Sequence, residues 1–348
     1  MSKIAFVFPG QGAQYPGMGK ELYAEHDLVR EYFDRADAAL GFSISKLCFE
    51  GPMEELTLTE NAQPAILTMS CAMAALVEAE TGIVPEAAAG LSLGEYSALV
   101  AANMLDFETA VVLVARRGRY MQEAVPAGVG GMAAIFGLEA AVVEGLCRQV
   151  DGIVEPANYN SPGQLVVSGE KEAVSALVAA AKEAGARRAV VLEVSAPFHC
   201  SLLQPAADKL ARDLQEVEFR PGRFPVLSNV DAAEVTPDRV RELLARQVAS
   251  PVLWEHCVQG LAGMGVSTLV ETGPGKVLSG LARKTVKGLE LYNVERAEDL
   301  SKIKEELSYV TFRSDSIDHR RQPGYWQADR PGAGRRRGQG GYQLQRQQ

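Results

Sequence analysis

Short runs rich in apolar or β-branched residues alternate with longer amphipathic ones along this chain. Ile4-Ala5-Phe6-Val7-Phe8, Ala87-Ala88-Ala89, Phe224-Pro225-Val226-Leu227-Ser228 and Ser267-Thr268-Leu269-Val270-Glu271 are of the first kind. Such runs read as strands covered on both faces, the habit of parallel sheets. Helical patterns fill the intervals at about 27–40, 60–80 and 106–122. Thr59 is placed to cap the second, with Pro64 in its first turn or so, and Asp106 to cap the third. Thr236-Pro237 predicts a helix to about Val248, and Ser250-Pro251 repeats the device for a helix to about residue 263. A further helix and a short strand from Leu289 to Val294 close an α/β arrangement.

Residues 125–198 form a unit with a different rhythm. Strand Met132-Ala133-Ala134-Ile135-Phe136 precedes a helix at 138–150, a strand near 153–158 and a turn at Asn160-Ser161-Pro162-Gly163. Strand Gln164-Leu165-Val166-Val167-Ser168, a helix at 170–184 and strand Ala189-Val190-Val191-Leu192-Glu193-Val194 follow. The order βαββαβ is ferredoxin-like. It predicts an insertion, because α/β character resumes on both sides.

Past about residue 310 the aliphatics thin out, and Gly, Arg and Gln dominate. This tail, 311–348, is expected to be disordered, since it cannot bury enough apolar surface to offset its ordering entropy. It also distorts the charge balance. The net charge of −9 combines a body near −14 with a stretch at 313–348 carrying eight arginines against three aspartates. An acidic body argues against nucleic-acid binding. No apolar run comes near the ~20 residues of a membrane span. Residues 4–8 read as a first strand and not a signal peptide, so a cytoplasmic location is expected. The five scattered cysteines contain no C-x-x-C and are expected to be free thiols, with no metal site.

Gly90-Leu91-Ser92-Leu93-Gly94 lies between a strand and a helix, the pattern of a nucleophile elbow. By itself it also fits an ordinary strand-to-helix turn. If it is an elbow, side chains at 90 and 94 would collide, and Ser92 stands at the mouth of the sheet. A serine needs a base. Of three histidines in the body, His26 sits between acids and His256 within a helical pattern. His199 follows a strand in a loop, where catalytic groups collect. The turn Pro9-Gly10-Gln11-Gly12 after the first strand could carry ligand-binding groups or be a plain βα turn. Arg116, Arg117 and Arg119 suit a solvated helix end unless one turns inward.

Seven segments in order resemble the malonyl-CoA:acyl carrier protein transacylase family. They are Phe8-Pro9-Gly10-Gln11-Gly12-Ala13-Gln14, Gly90-x-Ser92-Leu93-Gly94-Glu95-Tyr96-Ser97, Arg117-Gly118, Asn158 to Gln164, Phe198-His199, Gln247 with Pro251-Val252-x-Trp254, and Glu271-x-Gly273-Pro274-Gly275. The resemblance runs from residue 4 to about 307. It implies an α/β-hydrolase-like core (1–124 and 199–310) with the ferredoxin-like subdomain (125–198) inserted.

The resemblance also implies roles. Ser92 would carry the malonyl ester, His199 would act as base and then acid, and Gln247 would help orient His199. Arg117 would grip the free malonyl carboxylate, and the backbone N–H groups of Gln11 and Leu93 would form an oxyanion hole. The implied reaction passes malonyl from malonyl-CoA to the phosphopantetheine thiol of acyl carrier protein, with no cofactor, in a monomer serving fatty acid synthesis. Leu91 departs from the family's usual His, whereas Phe198 resembles members that take malonyl and not methylmalonyl. A basic rim at Arg116, Arg119, Arg187-Arg188 and Arg283-Lys284-Lys287 is expected to dock CoA phosphates and the carrier. The alternatives are a serine esterase or thioesterase, which would not need Arg117, a polyketide-pathway acyltransferase, or a non-enzymatic acyl-binding subunit.

Overall fold

Strand β1 (Lys3–Phe8) shows how the larger sheet is buried. Phe6 and Phe8 point into one apolar cluster, while Ala5 and Val7 point into another on the opposite face. The computed structural model describes residues 3–126 and 128–312, with side-chain surroundings to Leu307. The sheet also contains β2 (Ala87–Gly90), β7 (Val226–Leu227), β8 (Val266–Thr272) and β9 (Glu290–Val294). Their order is β7-β2-β1-β8-β9, with every pairing parallel. Helices Thr59–Thr81 and Phe107–Glu123 contribute to the first cluster, and helix Trp254–Gly263 to the second. Parallel strands share a direction, so the loops after β1, β2, β7 and β8 leave from one edge of the sheet.

The smaller sheet holds β3 (Gly130–Phe136), β4 (Val154–Ser161), β5 (Gln164–Glu170) and β6 (Arg188–Leu192). Its order is β4-β5-β3-β6, all antiparallel, with helices Ala140–Gln149 and Lys171–Glu183 packed on one face. A short backbone bridge ties it to the rest. Val252 N–H donates to Ala157 O at 2.8 Å, and Tyr159 N–H donates to Val252 O at 2.9 Å.

That bridge corrects one helix start. Ser250-Pro251 does not open a helix; Val252 is spent on β4, and the helix begins at Trp254. Likewise Thr236-Pro237 opens a turn, and the helix proper is Val240–Val248. Thr59 is the first residue of its helix and not the cap, a position held by Leu58; its N–H donates to Gln122 Oε1 at 3.1 Å. Pro64 lies within that helix, past its first turn. The helix is 23 residues long and apolar enough to cross a membrane by length and composition, contrary to the expectation that no run comes near. Its apolar window is 83% buried, as in the core helix of a folded domain. The sequence reading also missed helix Ala297–Phe312, which takes the first two residues assigned to the tail. The expected disorder of 313–348 lies outside the described residues.

Candidate active site

Ser92 occupies a sharp turn between β2 and helix Gly94–Ala101, with φ of 54°. A non-glycine residue in this left-handed region is strained. The glycines on either side make the turn possible. A Cβ on Gly90 would lie 1.9 Å from the Gly94 carbonyl carbon, and one on Gly94 would lie 2.1 Å from Phe8 O. The crowding is therefore side chain against backbone, and Gly94 is squeezed by the end of β1, not by a side chain at 90. Asn229, in the loop after β7, staples the turn. Its Oδ1 accepts from Ser92 N–H at 2.6 Å, and its Nδ2 donates to Gly90 O at 2.7 Å.

His199 is also in the left-handed region, with φ of 61°, and is 4% exposed. Its Nδ1 lies 2.8 Å from the main-chain oxygen of Gln247, and its Nε2 2.8 Å from Ser92 Oγ. A carbonyl can only accept, so Nδ1 carries the proton and Nε2 offers a lone pair to the serine O–H. Burial, then the charge of Arg117, pull the imidazole pKa down to about 4, against the opposing bonds to the backbone of Gln247 and Ser250. The ring is neutral at neutral pH.

Arg117 is the arginine that turns inward, at 1% exposure. It falls on the buried stripe Ala110, Leu113, Val114, Arg117, Met121 of its helix, while Arg116 and Arg119 lie off it. Those two are exposed and paired, Arg116 with Asp213 at 3.7 Å and Arg119 with Glu60 at 2.9 Å. Gly118 allows the approach, since a Cβ there would sit 2.4 Å from Thr59 O. The Arg117 head then reaches Gln63 Oε1 at 2.7 Å, Gln247 Oε1 at 2.9 Å and Ser92 Oγ at 3.1 Å. It lies 5.4 Å from the centre of the Tyr96 ring. Burial lowers its pKa, but a guanidinium stays charged.

Gln247 joins these parts. Its main chain holds His199, its Oε1 accepts from Arg117, and its Nε2 donates to Ser92 O at 3.0 Å and Glu95 Oε2 at 2.6 Å. Glu95 Oε2 also accepts from Asn229 N–H at 3.0 Å. Burial pushes the Glu95 carboxyl up to about 7, with Asn229, Gln247 and Arg117 holding it down.

A cleft of about 270 Å³ opens above the serine, between the two sheets. Gln11, Ser92, Leu93 and His199 line one side, and Met132, Asn158, Val166 and Leu192 the other. Leu91 and Phe198 line it as well; Arg117 does not, but it bonds two residues that do, Gln63 and Ser92. The backbone N–H groups of Gln11 and Leu93 have no acceptor among the described residues. The Gln11 side chain donates to Thr59 Oγ1 at 3.3 Å, which in turn lies 3.1 Å from Ser195 Oγ.

The structure thus brings Ser92, His199, Arg117 and Gln247 together and puts Gln11 and Leu93 on the same cleft. His256 is exposed and packs edge-on against Tyr159; His26 precedes helix Asp27–Leu40. The sequence reading missed three residues, Gln63, Asn229 and the carboxyl of Glu95. Gln63 had a readable signal, as a polar residue inside the apolar pattern of the 59–81 helix. All five cysteines are free and buried. Among the described residues no group of three or more His, Cys, Asp or Glu could hold a metal ion.

The acyl transferase domain family matches residues 5–318. The malonyl CoA-acyl carrier protein transacylase of Escherichia coli (strain K12) is 49% identical over 289 residues, covering 82% of this chain and 94% of that protein. The protein of the same name from Bacillus subtilis (strain 168) is 48% identical over 320 residues, covering 91% and 99%. Among solved structures, a malonyl-transacylase in complex with its type II PKS acyl-carrier protein superposes with a TM-score of 0.85 at 44% identity, covering 87% of this chain and 99% of that one. Extent and identity together leave one conclusion: the chain belongs to the acyl transferase domain family.

Proposed function

We propose that this chain moves the malonyl group of malonyl-CoA onto the phosphopantetheine thiol of an acyl carrier protein, through an ester on Ser92, in support of fatty acid synthesis. The observation that carries the reading is the pair of contacts at one oxygen. Ser92 Oγ lies 2.8 Å from a neutral His199 Nε2 and 3.1 Å from the buried cation of Arg117. The first can take its proton, and the second can grip an acyl group that carries its own carboxylate.

His199 removes the serine proton as Oγ attacks the thioester carbonyl. The Gln11 and Leu93 N–H groups receive the developing oxyanion. His199 then gives the proton to the leaving CoA thiolate, and the carrier's thiol repeats the sequence in reverse. The malonyl carboxylate replaces the neutral oxygens now on Arg117, those of Gln63 and Ser92. No metal or redox group enters this chemistry. An esterase would use the same serine and histidine but has no task for a buried guanidinium.

The same proposal includes the finer architecture. The parallel sheet is the α/β-hydrolase-like core, 1–124 and 199–310. The four-stranded antiparallel sheet is the inserted ferredoxin-like subdomain, 125–198. The exposed cations Arg187, Arg188, Arg283, Lys284 and Lys287 guide CoA phosphates and the acidic carrier. Arg116 and Arg119 contribute less, because Asp213 and Glu60 already pair with them. The protein acts as a cytoplasmic monomer.

Intact-mass measurement after mixing with malonyl-CoA tests the reading. A malonyl adduct is expected on the wild type and not on Ser92→Ala, and it should disappear on adding a phosphopantetheinylated carrier. An adduct lost to water as fast as to the carrier would favour a hydrolase.

A further inference from the structure

Every oxygen bonded to the buried head of Arg117 is neutral: Gln63 Oε1, Gln247 Oε1 and Ser92 Oγ. An interior cation needs a counter-charge. The carboxyl tied to it is Glu95, through a single amide. Gln247 accepts from Arg117 with Oε1 and donates to Glu95 Oε2 with Nε2 at 2.6 Å. Glu95 is itself fully buried, and its Oε1 has no partner among the described residues. The proposed acyl transfer gives this carboxyl no task.

We propose that Glu95 is the counter-ion of Arg117 in the free enzyme, yields that role to the substrate's carboxylate, and takes up one proton from solvent as the malonyl ester forms. This rests on the reading that Arg117 holds the malonyl carboxylate. In the free enzyme one buried cation balances one buried anion. A malonyl ester adds a second anion, and two carboxylates around one guanidinium leave a net negative charge beside side chains that are themselves buried. Neutralising Glu95 removes that charge, and the unpaired Oε1 is the seat for the proton.

Acyl transfer itself is proton-neutral. The thioester C–S bond breaks as the C–O bond to Ser92 forms, and the serine proton leaves on the CoA thiol. Any net uptake therefore belongs to the protein. Burial already holds Glu95 up at about 7 in the free enzyme, and the Arg117 charge is one of the factors restraining it. Pairing Arg117 with another anion weakens that restraint. The other groups facing Glu95 are few. Asp231, after β7, pushes it up and is itself paired with Arg239. Tyr96 and, on the 254–263 helix, Cys257 are held neutral by burial. His199, which Arg117 also pushes down, is the rival proton acceptor.

The test is the equilibrium constant for acylation of Ser92 by malonyl-CoA and by acetyl-CoA, read by intact mass between about pH 6 and 8.5, in wild type and Glu95→Gln. A slope of one proton is a tenfold change per pH unit. The wild-type malonyl constant is expected to fall as pH rises above about 7, steepening toward that limit. At lower pH the free enzyme already holds the proton and the slope fades. The acetyl constant stays flat throughout. Glu95→Gln keeps an acceptor for Gln247 and Asn229 and should flatten the malonyl line. A slope that survives Glu95→Gln assigns the proton to His199 and overturns the proposal, as does a flat wild-type line. Should Glu95→Gln not fold, wild-type infrared difference spectra decide. A protonated-carboxyl band must appear on acylation with carboxyl-labelled malonyl-CoA, unshifted by the label, and its absence is fatal. Arg117→Ala separates the two readings. Malonyl preference lost in Arg117→Ala with a flat wild-type line removes only the Glu95 role; malonyl preference retained removes both.

Discussion

Arg117→Ala is the perturbation that separates a malonyl-transfer site from a general acyl site. Two costs arise, and they fall differently on different substrates. The first is structural. Gln63 Oε1 and Gln247 Oε1 lose their donor, and both residues are buried. Each unpaired acceptor costs about 1–3 kcal/mol. Because Gln247 also holds His199 through its main-chain oxygen, some misplacement of the base follows, and malonyl-CoA and acetyl-CoA suffer it alike. The second cost falls on malonyl alone. Removing one member of a desolvated, hydrogen-bonded charge pair costs about 2–5 kcal/mol. At 1.36 kcal/mol per decade that is roughly a 30- to 5,000-fold loss in kcat/KM. The informative quantity is therefore the ratio of the two substrates, from which the shared damage cancels. Single-turnover acylation, followed by intact mass with malonyl-CoA and acetyl-CoA in parallel, measures it directly. Arg117→Lys should fall between, because a point charge cannot copy the two-pronged geometry of a guanidinium. A malonyl-to-acetyl ratio that moves by less than about 5-fold, roughly 1 kcal/mol, in Arg117→Ala refutes the role given to this residue.

Three further outcomes are expected. The base works only when neutral, so kcat/KM for acylation should fall as pH drops through about 4; an acid limb centred near the ordinary imidazole value of about 6.5 would show that burial and Arg117 do not act on His199 as described. Asn229→Ala leaves the buried Ser92 N–H and Gly90 O without partners, at about 1–3 kcal/mol each; denaturant unfolding should show a loss of about 2–6 kcal/mol, and a loss under about 1 kcal/mol removes the stapling role. Reversing Arg283 and Lys284 to Glu, both exposed, should slow transfer to the carrier at low salt and lose that effect at high salt; an unchanged rate at low salt excludes this part of the rim.

The strands that build the site were legible because the cores of β1 and β2 are continuously apolar, as in strands covered on both faces, and because β1, β2 and β8 all stop at glycine or proline, even though β8 carries Ser267, Thr268 and Glu271. Hence β1, β2 and β8 stand where the pattern put them, within a residue or two. Helix starts were less legible, because the same local signal can serve another partner. Ser250-Pro251 has the form of a cap, yet Val252 pairs with β4, a contact no local reading contains. Helix Ala297–Phe312 had a usable signal that went unread, since Leu300, Ile303 and Leu307 recur at helical spacing and are buried. Arg117 was likewise readable from its place on the apolar stripe of its helix. Asn229 and the task of Glu95 were not, because each acquires its partners only when loops from distant strands meet.

How this serine and histidine would work without a carboxylate as third member follows from the same contacts. Burial and the charge of Arg117 keep the imidazole a weak base, and the neutral carbonyl that accepts the Nδ1 proton opposes them less than a carboxylate would. Hydrolysis would suffer from that, because activating water asks for a stronger base. Exchange between a thioester and a serine ester suffers less. A thiolate leaves readily in one direction, and a carrier thiol ionises far more easily than water in the other. In the proposed reaction one guanidinium therefore answers two needs: it selects an acyl group bearing a carboxylate, and it lowers the base strength that would otherwise waste that group on water. Ser92 and His199 both sit in the strained left-handed region, which fits that reading. With so mild a base, rate depends on placement, and a fold that holds both residues in the left-handed region supplies it.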